Sequence, residues 1–556
     1  MRAGASLFAF ALSLVVAPVF GQKAQDVPPL VERVEVSVIN VDAIVTDGQG
    51  RPVMSLTPDD FEILEDGKPQ KITGFYKIQH GIVSVPDGSS ADQVADQFRR
   101  KAILMFDNNS LDTRTRNAAI ERVKDFIDNQ FSEKYEWAVI NVGPTVGTIQ
   151  PFTDRRGEID AALARVRHSP TFGSQRAIDR RLLSDTARNE LRGQEFDSNS
   201  FNSGYDFGAT ARFQSREQTM RNLRATMTSA KAVIETCRAY SASSGKKILV
   251  LVTGGLELNT DFAQYSDDRG DRNMIEMKRE MQEVFDAMVK EANAANFSIY
   301  VINAAGHQNV APQHDVTNAS AGTGGILGNP RDDTFNKFPD VSDPDSAGLT
   351  LAEGTGGRYL PSNSVSESIR TIDDESANFY SLAYSPSHQG DGRYHKIEVR
   401  VKQPHLNVRN REGYVDLSDE QRLEQSLRSP ITFAKEKGTL DVKIKLGTPE
   451  RNHDKRLVPI TASMPVTDIT FVPKDAQEVG RVHVYLAIYD EKGDNVGFAH
   501  QIQDVSILEK NMEQTAKGSF KYTMKVALPK GNFTLVVTLR DDVSNEIGTA
   551  YENVRL

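Results

Sequence analysis

The chain has 556 residues, enough for about three to four domains, and its 26% charged and 38% hydrophobic residues are the balance of ordinary globular material. Its 66 basic against 76 acidic residues leave a formal charge of −10, which argues against a general nucleic-acid binder that needs a positive face. The single cysteine, Cys237, excludes an intrachain disulfide, so hydrophobic cores must hold the fold.

Residues 1–21, MRAGASLFAFALSLVVAPVFG, place one Arg before an apolar core from Leu7 to Val16, with Pro18 and small residues leading to Gly21. They read as a secretory signal peptide cut before Gln22, because the apolar segment is too short and too broken to span a bilayer. The expectation is an exported chain, periplasmic or extracellular, with no membrane span in the mature protein. Residues 22–82 read as a small β module. Val34 to Val45 alternates as VEVSVINVDAIV, Phe61 to Leu64 and Lys71 to Tyr76 read as strands, and Asp66-Gly67 supplies a hairpin turn. The polar stretch 83–98 is a linker.

From residue 99 to 416 strands alternate with helices. Ala102 to Phe106 and Ile248 to Thr253 are continuous apolar runs, as expected of strands buried on both faces. Trp137 to Val142, Gly147 to Phe152 and Ser298 to Ile302 add further strands. Helical spacing appears over Arg116 to Phe131, around Ile159 to Val166, over Gln218 to Tyr240, over Asn273 to Asn296 and over Val365 to Ala377. This alternation predicts an α/β fold with a doubly wound, mainly parallel sheet of Rossmann type. Two loops, 172–213 and 304–347, interrupt it and are long enough to be functional or disordered. Cys237 and the Met274, Met277, Met281, Met288 stripe fit core positions on their helices. After a connector at 417–441, alternation dominates 442–556, a β-sandwich.

The run Lys101 to Leu111, KAILMFDNNSL, ends its strand in Asp107-Asn108-Asn109-Ser110, and ligands of open α/β sheets collect at such carboxyl ends. This resembles the first strand and metal loop of the von Willebrand factor type A domain, whose pattern is Asp-x-Ser-x-Ser. Asp107 fits, while Asn109 and Leu111 stand at the serine positions. The resemblance implies a second-loop Thr, for which Thr171 is the counterpart, and a third-loop Asp, where this chain has Gly254 with Glu257 and Asp261 nearby. Ser110 or Asp112 could substitute after a register shift. The implied site is degenerate: Asp107, Asn109 and Thr171 around Mg²⁺ or another divalent cation, held weakly or not at all. The bland alternative is that Asp107 and Asn109 cap the next helix or bind loop backbone. Three phrases, at 41–75, 351–360 and 379–414, also resemble the acidobacterial VWFA-related domain proteins, implying an exported type A-like domain used for protein contacts.

No His-Glu-x-x-His, Gly-x-Ser-x-Gly or phosphate-loop motif occurs. The expectation is therefore a non-enzymatic protein contacting a protein or cell-envelope component through the carboxyl edge of its sheet, at Ser110, Asp112, Gly254, Glu257, His307 and His314. The rivals are a structural spacer of the envelope and a metal-dependent hydrolase using His307, His314 and Asp315.

Overall fold

The computed structural model describes residues 38–84, 100–130, 135–143, 146–173, 207–243, 245–256, 272–304, 346–361, 364–429, 438–474, 477–491 and 493–556. The expected signal peptide, most of both long loops, Glu257, Asp261, His307, His314 and Asp315 lie outside them. The chain divides into two compact units, Val36–Leu423 and a second whose described residues belong to Glu424–Leu556.

In the first unit one sheet has six strands, in the spatial order Tyr359–Pro361, Phe297–Asn303, Lys246–Thr253, Arg100–Asp107, Tyr135–Val142 and Val146–Thr153. The first five run parallel, and Val146–Thr153 returns antiparallel beside Tyr135–Val142. Lys246–Thr253 is buried at every position, as its unbroken apolar run requires when both faces are covered. Leu104, Phe106, Val139, Val250 and Ile302 pack with Ile120, Val123, Ile159, Leu163 and Ile372 from the helices. Each such apolar side chain contributes about 1.5–3 kcal/mol on burial.

The rest of this unit is two antiparallel sheets. One has the order Asn407–Arg409, Ile39–Thr46, Phe379–Tyr384, Gly74–Gln79, Ile82–Ser84, and the other Gly413–Val415, Tyr394–Val401, Phe61–Glu65, Lys68–Gln70. Strands near residue 40 thus pair with strands near residue 380, and Phe61–Glu65 pairs with Tyr394–Val401. A boundary at residues 82–99 therefore falls between strands that share sheets with the closing segment. Period-two alternation builds their common core: Val41, Ala43 and Ile63 face Tyr380, Leu382, Ile397 and Val399.

The second unit holds a four-stranded sheet, with Lys455–Pro465 between Lys443–Leu446 and Ser519–Leu528, and a five-stranded sheet centred on Gln477–Asp490 and Asn532–Asp541. Val458, Ile460 and Ala462 meet Val484, Leu486, Leu535 and Val537 in its core.

The expected fold class is corrected on this evidence. Among the described residues four of the five sheets are antiparallel throughout, so the chain is mainly an antiparallel β protein and not an α/β protein wound on a parallel Rossmann-type sheet. The reason is physical. Apolar runs buried on both faces stand out most in sequence, whereas half-buried strands reveal period two but not their partners.

Candidate functional site

Polar side chains gather at the carboxyl edge of the six-stranded sheet, where sequence predicts the site, and at one end of the paired antiparallel sheets, where it does not.

At the sheet edge Asp107 is 1% exposed and both carboxylate oxygens are occupied. Oδ1 accepts from Ser229 Oγ at 2.7 Å and the Asn109 backbone N–H at 3.2 Å. Oδ2 accepts from Ser110 Oγ at 2.5 Å and Thr253 Oγ1 at 3.0 Å. Asn109 spends its amide donors on Gly143 O and Ser229 Oγ. Asp112 caps the helix Thr113–Gln130, accepting from the Thr115 N–H and hydroxyl. Its burial favours the neutral form, but the Thr115 bonds outweigh this and hold its pKa below the usual value.

Thr171 is not part of the Asp107 network. Its hydroxyl pairs with that of Thr113 at 2.8 Å on the exposed rim. The structure thus joins Asp107, Asn109 and Ser110 with the unpredicted Ser229 and Thr253. An ion could reach Asp107 only by displacing these donors. Leu111, at a serine position of the type A pattern, is fully buried in the core below. Gly254, at the aspartate position, cannot carry a side chain: a Cβ there would lie 2.4 Å from Ser110 O. Gly173 lies against the same carbonyl, where an added Cβ would come within 2.2 Å. No sequence spacing announced Ser229, which arrives from the distant helix Phe207–Ala239.

The second place is built on Glu65, at the end of strand Phe61–Glu65, and His395, in strand Tyr394–Val401. His388 and Asp391 come from the loop between strands Phe379–Tyr384 and Tyr394–Val401, where Gly390 and Gly392 take φ of +60° and +72° and let it fold back. Asp416 follows strand Gly413–Val415. Glu65 is 5% exposed, and its Oε1 accepts from Tyr384 and Tyr414 hydroxyls at 2.7 Å each. Burial and the Glu65 charge push both phenols far above their ordinary pKa, so both remain donors.

Glu65 Oε2 faces His388 Nε2 at 3.5 Å. His388 Nδ1 is bonded to Asp416 Oδ2 at 2.9 Å, and that oxygen also accepts from the Asp391 N–H. His395 stacks on His388 with ring centroids 3.8 Å apart, between Asp66 at 2.9 Å and Asp391 at 3.3 Å. Burial opposes charge on His395, but the bonds to Asp66 and Asp391 outweigh it and raise its pKa. Sequence reasoning missed this cluster. The spacing of His388, Asp391 and His395 was the available signal, while Glu65 and Asp416 arrive only through strand pairing.

In the second unit, Asp542, His483, His500 and Glu424 form a bonded chain at 3.0, 3.0 and 3.1 Å. Every ring nitrogen in it is engaged. Cys237 is buried and its thiol is pushed to high pKa by that burial, fitting a core position. Among the described residues no helix is long and apolar enough to cross a membrane.

No protein-family model matches the chain, and no curated protein matches it. Among solved structures, a PilB minor pilin mutant from Streptococcus sanguinis is 9% identical, over 60% of this chain and 86% of its own, with a TM-score of 0.25. A Bacteroides uniformis β-glucuronidase is 8% identical, over 32% of this chain and 19% of its own, with a TM-score of 0.15. A calcium-binding mutant of Bacteroides uniformis β-glucuronidase 2 is likewise 8% identical, over 21% of this chain and 13% of its own, so this chain spans only a small part of these enzymes. Likenesses of this size fix neither fold nor function.

Proposed function

We propose that the chain is an exported, non-enzymatic contact protein that meets a protein of the cell envelope at the carboxyl edge of its six-stranded sheet. One observation carries this reading: the edge is fixed from within while an aromatic ring is held outward. The Phe172 N–H donates to Asn108 O at 2.8 Å and the Gly173 N–H to Leu111 O at 3.0 Å, so the backbone under Phe172 is pinned to the Asp107 loop. The Phe172 side chain is nonetheless 41% exposed, beside the Thr113–Thr171 pair. Rigid aromatics anchor protein interfaces because they bury much area at little entropic cost. With Asp107 saturated by protein donors, contact at this edge needs no divalent ion.

The test immobilises the mature protein and measures binding of a solubilised envelope fraction from the source organism, beside Phe172→Glu and Thr171→Arg. A response lost in both variants and unaffected by a chelator supports the reading. A response that both variants retain, or none at all, removes it.

A further inference from the structure

We infer that Glu65, His388 and His395 form a binding site for one transition-metal dication of the zinc class. The Glu65–His388 pair frames the place the ion would take. Asp416 Oδ2 takes the Asp391 N–H and is bonded to His388 Nδ1, which holds the ring with its Nε2 turned toward Glu65. The Nε2 atom is buried and makes no hydrogen bond, although Glu65 Oε2 lies only 3.5 Å away. A buried imidazole nitrogen without a hydrogen bond thus faces a carboxylate oxygen, an arrangement that costs free energy unless a positive centre, proton or metal ion, is shared between them.

The spacing fits the ion better than a hydrogen bond. Hydrogen-bonded N and O atoms sit at about 2.7–3.2 Å, shorter than observed here. Two ligands on one tetrahedral ion, with Zn–N and Zn–O bonds of about 2.0–2.2 Å, lie about 3.4 Å apart. The outer contacts also fit. A metal-bound imidazole almost always donates its other N–H to a carboxylate, as His388 does to Asp416. The Tyr384 and Tyr414 hydroxyls hold Glu65 by Oε1 and leave Oε2 free. One ligand atom of His395 lies within 4.8 Å of those of Glu65 and His388.

Mixed imidazole and carboxylate donors select a zinc-class ion over Mg²⁺ or Ca²⁺, which favour oxygen alone. In the stacked pair the two ring planes are nearly parallel, at an interplanar angle of 13° and with centroids 3.8 Å apart, so lone pairs lying in those planes cannot meet at one point. Loading therefore tilts His395 off His388, breaks the stack, and exchanges its Asp391 bond, with any proton held there, for the ion, while Asp66 keeps the other ring nitrogen. Three protein donors leave a fourth position for water or an incoming ligand.

The experiment is calorimetric titration of the chelator-stripped full chain with Zn²⁺ and with Mg²⁺, with imidazole NMR shifts recorded in parallel. One Zn²⁺ per chain should bind, no Mg²⁺, and the His388 and His395 signals should move together. His388→Ala should weaken binding by about a hundredfold or more. Glu65→Gln guards against misfolding: its amide oxygen can accept the tyrosine bonds, so the variant should fold with an unchanged circular-dichroism spectrum yet lose the ion. Absence of stoichiometric Zn²⁺, or Zn²⁺ binding unchanged by Glu65→Gln, would falsify the site. Because the sheet-edge contact is chelator-insensitive, either proposal can fail alone.

Discussion

Nε2 of His388 and Oε2 of Glu65 face each other at 3.5 Å with no hydrogen bond between them. Oε1 of the same carboxylate accepts from two tyrosine hydroxyls. The free oxygen is thus aimed while the other is fixed.

That fixing should be measurable. Tyr384→Phe removes one buried donor to a charged acceptor, a change worth about 1.5–3 kcal/mol in denaturant unfolding of the metal-free protein. A variant as stable as wild type would mean that the Tyr414 hydroxyl alone holds Glu65.

At the sheet edge, Asp107→Asn should cost about 2–4 kcal/mol by thermal or urea unfolding. It swaps a buried acceptor for an amide whose donors meet hydroxyls already engaged with one another, as Ser110 and Thr253 are at 2.8 Å. A stability change below about 0.5 kcal/mol would show that the carboxylate is dispensable.

Gly254→Asp restores the carboxylate of the type A pattern, yet the prediction is loss and not gain. A Cβ 2.4 Å from the Ser110 carbonyl forces backbone apart, so the variant should fold poorly or lose more than about 3 kcal/mol. A stable Gly254→Asp protein that binds Mg²⁺ would contradict the packing described here.

Asp112→Ala removes a helix cap and should cost about 1 kcal/mol near neutral pH. The folded pKa of Asp112 lies below its ordinary 3.8. Its stabilisation is therefore present above pH 3.8 and lost as pH falls through the lower folded value. The difference between wild type and Asp112→Ala should shrink below about pH 4. A difference constant from pH 7 to pH 3 would show that the charge plays no part.

Much of this architecture is legible in the residues themselves. The apolar runs ending at Asp107 and Thr253 announce strands buried on both faces, and the periodic helices follow. What was hidden is pairing. Strand Ile39–Thr46 meets Phe379–Tyr384, and Tyr384 reaches Glu65 from 319 residues away. Half-buried alternation states which face is inward, not which strand lies alongside. For the same reason the parallel run coloured the whole fold class, although antiparallel sheets dominate. At the sheet edge the sequence shows that Asp107 stands at a strand end. It does not show that Ser229 and Thr253 saturate it, nor that Gly254 is demanded by a neighbouring carbonyl.

The central claim is that divalent-ion chemistry belongs to the Glu65–His388 end of the antiparallel sheets and not to Asp107. The most direct measurement is thermal unfolding of wild type, Asp107→Asn and Glu65→Gln with added Zn²⁺ or Mg²⁺. An ion at about a hundred times its dissociation constant adds about 2.7 kcal/mol, an easily read rise in Tm. The prediction is a Zn²⁺-dependent rise in wild type and Asp107→Asn alike, none in Glu65→Gln, and no response to Mg²⁺. A Mg²⁺-dependent rise in wild type that disappears in Asp107→Asn would contradict it and return the metal site to the sheet edge.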